Sequence, residues 1–207
     1  MLKIEKTEVF GWEAAIRGMR NPMNSWEKSD SGMALDEYFY EYFDIGDNDY
    51  ELMMKLRNAG TDHRKFLRMI MVSFDVIAPL YWWKEYDTYK VGTVANSCST
   101  MHKIHANEIT LEDFSIDEVL PIYQMVLEEL NHARESFLET KDKKYWKRMI
   151  QLLPSSYNQK RTVMLNYEVL ANIYKSRKYH KLDEWHTFCD WIESLPYSEL
   201  ITGGKDE

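Results

Sequence analysis

A chain of 207 residues is long enough for one domain with a real hydrophobic core. Its formal net charge of −8 and isoelectric point of about 5.3 argue against non-specific binding of DNA or RNA. Two cysteines without metal-ligand spacing fit a reducing compartment, and with no secretory leader and no apolar run near the ~20 residues that span a bilayer, the expectation is one cytoplasmic domain, residues 1–207, partnered by neither nucleic acid nor membrane.

Leu2 to Phe10 alternates as a strand does, and Gly11 to Met19 reads as a helix stopped at Asn21-Pro22. Asn21 to Met33 is a breaker-rich loop, a lid or an ordinary surface loop. Leu35 to Phe43 reads as a short aromatic helix. Asp47 or Asn48 caps a helix over Tyr50 to Ala59, which Gly60 closes. Phe66 to Ala78 is the predicted central strand, and Pro79 opens the next helix in the one place where proline does no harm. Val91 to His102 is small and polar. Its backbone N–H groups and the hydroxyls of Thr93, Ser97, Ser99 and Thr100 suit an anion cradle, or a plain solvated loop. With seven Trp, 14 Tyr and 8 Phe in the chain, aromatic excess points to a stacking site, an oligomer interface or a ring-rich core. Tyr81, Trp82, Trp83, Tyr86 and Tyr89 beside that loop read as the wall of a pocket for a flat ring. His102 and His105 lack a third ligand, so no metal is expected.

Thr110 to Phe114 is a connector. Ser115 or Asp117 caps a long helix, Glu118 to Glu139, with a clear 3.6-residue apolar stripe. A second helix, Lys143 to Leu152, carries Lys141, Lys143, Lys144, Lys147 and Arg148 at or near its solvated face. Leu153-Pro154 stops it. A short strand at Arg161 to Leu165 turns at Asn166 into a helix ending at Arg177. The last helix, Leu182 to Leu195, buries Trp185, Phe188, Trp191 and Ile192, and Ile201 to Glu207 reads as a frayed tail.

The residues of the strand-to-helix stretch form a spaced set. Asn166 lies twelve residues after Pro154, Leu170 four further, Asn172 two further and Arg177 five beyond. At ~100° per residue, Asn172 and Arg177 stand about 500° apart and flank a ligand rather than line one groove. Singly, an Asn at a helix start is a cap and an Arg in a last turn serves the helix dipole. As a set, they resemble the C-terminal half of the flavin-dependent thymidylate synthases. In that family the two Asn contact flavin, and the Arg sits on the nucleotide base and is essential. His63 and Ala78-Pro79 also match, while Phe66 and Arg68 replace a Pro and a Glu. Thr88-Tyr89-Lys90 stands where the family has Arg-His-Arg, followed by Thr93, Ala95-Asn96 and Cys98 with Ser99 beside it. Ile150 occupies the place of a phosphate-binding Arg, with Arg148 two residues earlier, and Lys181, preceded by His180, the place of a His.

The resemblance implies an α/β (α+β) fold, a mixed sheet flanked by long helices, assembled as a homotetramer with active sites between subunits. It implies FAD as cofactor, NADPH and methylenetetrahydrofolate as co-substrates, and a nucleotide substrate, dUMP, methylated to dTMP. Arg177 becomes the catalytic residue, activating the base electrostatically without any protein nucleophile. Asn166, Asn172, His63, Tyr89 and Lys90 become the flavin set, and Lys90, Ser97, Ser99, Arg148 and Arg177 the nucleotide set. Replacing arginine forks by one lysine point charge weakens phosphate recognition. Two other readings therefore stand beside it: a nucleotide- or flavin-binding protein of this fold with other chemistry, and a non-catalytic binding or assembly protein.

Overall fold

The computed structural model describes residues 2–203. In chain order these form β1 (Lys3–Phe10), α1 (Trp12–Arg20), β2 (Gly32–Leu35), β3 (Glu41–Asp44), α2 (Asp47–Asn58), β4 (Met71–Pro79), α3 (Leu80–Tyr86), β5 (Val94–Ser97), α4 (Pro121–Thr140), α5 (Lys143–Leu152), β6 (Asn158–Asn166), α6 (Tyr167–Arg177), α7 (Asp183–Glu193) and α8 (Glu199–Thr202). The architecture is α/β. A four-stranded sheet runs in the order β1-β4-β6-β5, and β2 and β3 form a separate antiparallel pair. The chain clusters into two compact units. One is Met1–Glu5, Asp75–Thr88 and Ala95–Thr162, and the other is Lys6–Phe74, Tyr89–Val94 and Val163–Glu207. All four strands of the larger sheet are divided between them, at Glu5/Lys6, Phe74/Asp75, Val94/Ala95 and Thr162/Val163.

In the first unit α4 and α5 pack around Ile104, Ile109, Leu130, Ala133 and Met149. Asp142 caps α5 by accepting from the Lys144 N–H at 2.9 Å. Pro121 takes the first position of α4, and Leu120, not Ser115 or Asp117, is the residue before it; proline needs no N–H partner there. Trp82, Trp83 and Tyr86 of α3 are fully buried against one another, with ring centroids 4.8–5.3 Å apart, so these three rings are core and not pocket wall. The Arg161 guanidinium covers Trp83 at 4.2 Å and pairs with Asp87 at 2.8 Å.

In the second unit α1, α6 and α7 bury Ile16, Met19, Leu170, Ile173, Trp185 and Phe188. Gly11, at φ +95, begins α1. A Cβ there would stand 2.1 Å from the Met69 carbonyl oxygen, so only glycine fits. The loop after α1 is fastened down, not a free lid. Arg20 (4% exposed) donates to the fully buried Asp49 at 2.6 Å and reaches the carbonyls of Ser25 and Lys28. Asp49 in turn accepts from the hydroxyls of Ser29 and Ser31 at 2.6 and 2.7 Å.

Three expectations are corrected here. The aromatic run from Leu35 to Phe43 is not a helix but the turn and second strand of the β2–β3 hairpin. Asp36 accepts through one carboxylate oxygen from the N–H groups of Tyr38 and Tyr40, which closes a tight loop, and rings suit a pleated strand. The predicted strand from Phe66 begins only at Met71. Arg64–Arg68 is a 3₁₀ turn that buries Phe66 and Leu67 side by side. Ile201 is not in a frayed tail but buried in α8, whose last carbonyls Arg57 grips at 2.9–3.3 Å. Residues 204–207 of that predicted tail lie outside the described residues.

Candidate functional site

The site is built on α6. The strand β6 ends at Asn166, which keeps extended backbone (φ −122°, ψ 168°) while its side-chain oxygen accepts from the Val169 N–H at 3.0 Å. That is an N-cap, and it leaves the Asn166 amide NH₂ as a donor. Tyr167 fixes the start of the helix, its N–H on the Ile70 carbonyl and its hydroxyl on the Pro196 carbonyl. Gly92, at φ +78, lies against this helix start: a Cβ there would sit 3.2 Å from Val169 and 3.4 Å from the Asn166 amide nitrogen. The loop backbone thus approaches α6 as closely as a glycine allows.

One face of α6 buries Val169, Leu170, Ile173 and Tyr174, which leaves Asn172 exposed and Arg177 half-buried. Arg177 donates from Nε to the Tyr89 hydroxyl at 2.9 Å. Its guanidinium stands 4.7 Å from the centroid of the fully buried Trp185 ring and 5.6 Å from that of Tyr89. The geometry is cation–π on both rings, with Tyr89 and Trp185 edge to face at 6.2 Å. The predicted cation and the predicted aromatic residue therefore meet. Trp185 joins them from α7, where its apolar spacing reads as core alone.

Asn172 faces Arg64. The Arg64 Nη2 donates to the Asn172 side-chain oxygen at 3.4 Å, and its Nε lies 2.9 Å from the Glu168 carboxylate. Glu168 and Asn172 are four apart and share one helix edge, so one guanidinium spans both. An arginine can only donate, so the Asn172 amide turns its oxygen to Arg64 and keeps its NH₂ as a donor. Sequence reasoning passed over Arg64. Its signal was an Arg next to the predicted His63 turn.

His63 is exposed in that turn, with its N–H on the Gly60 carbonyl. Lys90 is exposed, and its carbonyl accepts the Thr93 N–H at 3.2 Å. Thus His63, Tyr89, Lys90, Asn166, Asn172 and Arg177 all belong to the second unit. Ser97, Ser99 and Arg148 belong to the first, and two of them are engaged. The Ser99 hydroxyl oxygen accepts from the N–H groups of Met101 and His102 at 3.2 and 2.8 Å, and Arg148 pairs with Glu129 at 2.8 Å. His180 accepts the Leu182 N–H at 3.2 Å, and its ring and that of Trp185 form a T-shaped pair at 6.3 Å. Among the described residues no group of three His, Cys, Asp or Glu is arranged to hold a metal ion, and no helix is long and apolar enough to cross a membrane.

No family model matches the chain, and no curated protein matches it in sequence. Solved structures do match. Two crystal structures of the flavin-dependent thymidylate synthase ThyX from Helicobacter pylori, both with FAD and dUMP, superpose with a TM-score of 0.75. The match covers 97% of this chain and 98% of theirs at 16% identity. At that identity the likeness speaks for architecture: the chain has the fold of ThyX.

Proposed function

We propose that the chain binds a flavin and a pyrimidine nucleotide at the Arg177 end of α6 and acts as a divergent thymidylate synthase, methylating dUMP to dTMP. The observation that carries this reading is the Arg177–Trp185–Tyr89 stack with Asn172 on the same helix, in a fold whose neighbours were crystallised with FAD and dUMP.

The residues present suit these ligands. Asn172 offers amide donors to the acceptor edge of a flat ring. When bound, reduced FAD supplies the hydride, with the carbon coming from methylenetetrahydrofolate. Arg177 holds negative charge developing on the pyrimidine ring, in a half-buried setting where charge is worth more than in water. Tyr89 and Trp185 keep its guanidinium aimed. Lys90 offers the phosphate a point charge.

A second reading has its own observation. Thr88-Tyr89-Lys90 carries one cation where the family has two arginines and a histidine, and Ile150 stands in the place of a phosphate-binding Arg. These favour a protein that binds nucleotide or flavin without thymidylate synthesis. The visible spectrum of the purified protein, recorded after adding FAD and desalting, decides first. Retained flavin bands followed by dTMP formation from dUMP support the synthase. Retained bands without dTMP support the binding reading, and a colourless protein overturns both flavin readings.

A further inference from the structure

The β2–β3 hairpin is the most apolar exposed feature of the second unit. Tyr38, Phe39 and Tyr40 stand 71%, 81% and 72% exposed at its tip, with Met33 and Leu35 also open on β2. The tip is nevertheless a built turn. Asp36 accepts the N–H groups of Tyr38 and Tyr40, its own N–H bonds to the Tyr40 carbonyl at 3.0 Å, and Phe39 sits at φ +63. Rings presented on an ordered turn lose little conformational freedom on contact. A two-stranded sheet with an open apolar face is also marginal in water.

Charge narrows what covers it. From Ser29 to Met54 the chain holds eight acidic residues and no Lys or Arg. Four of the eight, Asp36, Glu37, Glu41 and Asp44, lie on the hairpin and make no ion pair among the described residues. This field repels an identical hairpin, an anionic lipid surface and nucleic acid. It suits a basic partner whose cations meet the ring faces. The chain carries such a surface. Lys143, Lys144, Lys147 and Arg148 of α5 are all exposed. At ~100° per residue they span about 140° of one helix face. Lys143 and Lys147 make no ion pair among the described residues. The pairs Lys144–Asp142 and Arg148–Glu129 are solvent-exposed and exchange at small cost.

We infer that the β2–β3 hairpin docks on the basic face of α5 of a second copy of this chain. The two surfaces differ and each copy offers both, so a pair related by a two-fold axis makes the contact twice, and a head-to-tail array makes it once per copy. This stands apart from the flavin and nucleotide reading.

The test is the mass of the full chain in solution by sedimentation, at low and high salt, with three variants. Phe39→Asn with Tyr38→Ser removes two rings and suits the left-handed backbone at 39. Lys143→Glu with Lys147→Glu turns the two cations of that face that make no ion pair acidic. The third variant joins that change to Glu37→Lys and Glu41→Lys. The expected result is an assembly larger than the 24.8 kDa chain that weakens with salt. It loosens about tenfold or more in the first two variants and is regained in the third, with circular dichroism unchanged throughout. A wild-type monomer, an assembly indifferent to either pair of substitutions, or no recovery on charge exchange overturns the inference.

Discussion

Arg177 has two jobs that separate on mutation. Its guanidinium covers Trp185 and holds the Tyr89 hydroxyl, and in the proposed function it also meets the pyrimidine. Arg177→Ala removes the cation–π contacts to both rings and the hydrogen bond to Tyr89, about 2 kcal/mol. The melting temperature should then fall by only a few degrees, while binding of dUMP, measured calorimetrically, falls at least tenfold. Collapse of the fold instead would make Arg177 a structural residue. Lys90 is exposed, so Lys90→Ala should leave stability unchanged and weaken dUMP more than deoxyuridine; equal loss for both would sink its phosphate role. Asn166, Asn172 and Arg177 could be named as candidates because their spacing resembles that of a known family, and a strand-to-helix junction and one helix hold them in register. Arg64 and Trp185 could not, because each reaches the site from an element distant in sequence.

Among the elements, the loop after α1 owes its shape to the Arg20–Asp49 pair. Burial by itself would raise the Asp49 carboxyl. Hydrogen bonds from Ser29, Ser31 and Arg20, with the arginine's charge, outweigh it and hold the carboxyl below its ordinary value. A group whose folded pKa is depressed stabilises the fold above its unfolded value, about 3.9, and loses that contribution as pH falls through the folded pKa. Acid unfolding of the wild type should therefore steepen below about pH 4, and Asp49→Asn should flatten that limb. The variant also leaves Arg20 buried beside a neutral group, at a cost of about 3–5 kcal/mol at neutral pH, read by urea unfolding. The hairpin shows what sequence pattern hides at this scale. The run from Leu35 to Phe43 has no interruption by Gly or Pro, so nothing marks a turn except Asp36, whose side chain substitutes for a backbone partner.

Across the whole molecule, the two thiols divide cleanly. Cys98 is exposed, whereas burial, reinforced by Asp190 and Glu193, pushes the Cys189 thiol up to about 11. At pH 8 a disulfide reagent should titrate one thiol in the native protein and two after unfolding; rapid reaction of both would contradict the packing of α7. Most helices and the strands β1, β4 and β6 were legible because prolines 22, 79, 121 and 154 punctuate the chain and the stripes between them are regular. What escaped the sequence is whatever depends on distant partners. Trp82, Trp83 and Tyr86 look like a pocket wall until one sees that they pack on each other.

Trp185 is fully buried with a cation resting on its face. An indole so placed is also an optical gauge. Any ligand that draws the Arg177 guanidinium away, or brings a flavin within energy-transfer range, should change the tryptophan emission of the unlabelled protein. Trp185→Phe should silence the part of that change that comes from the guanidinium, while the other six tryptophans still report folding. The chain thus carries its own titration signal for ligands at this site, free of any need to know beforehand which reaction follows.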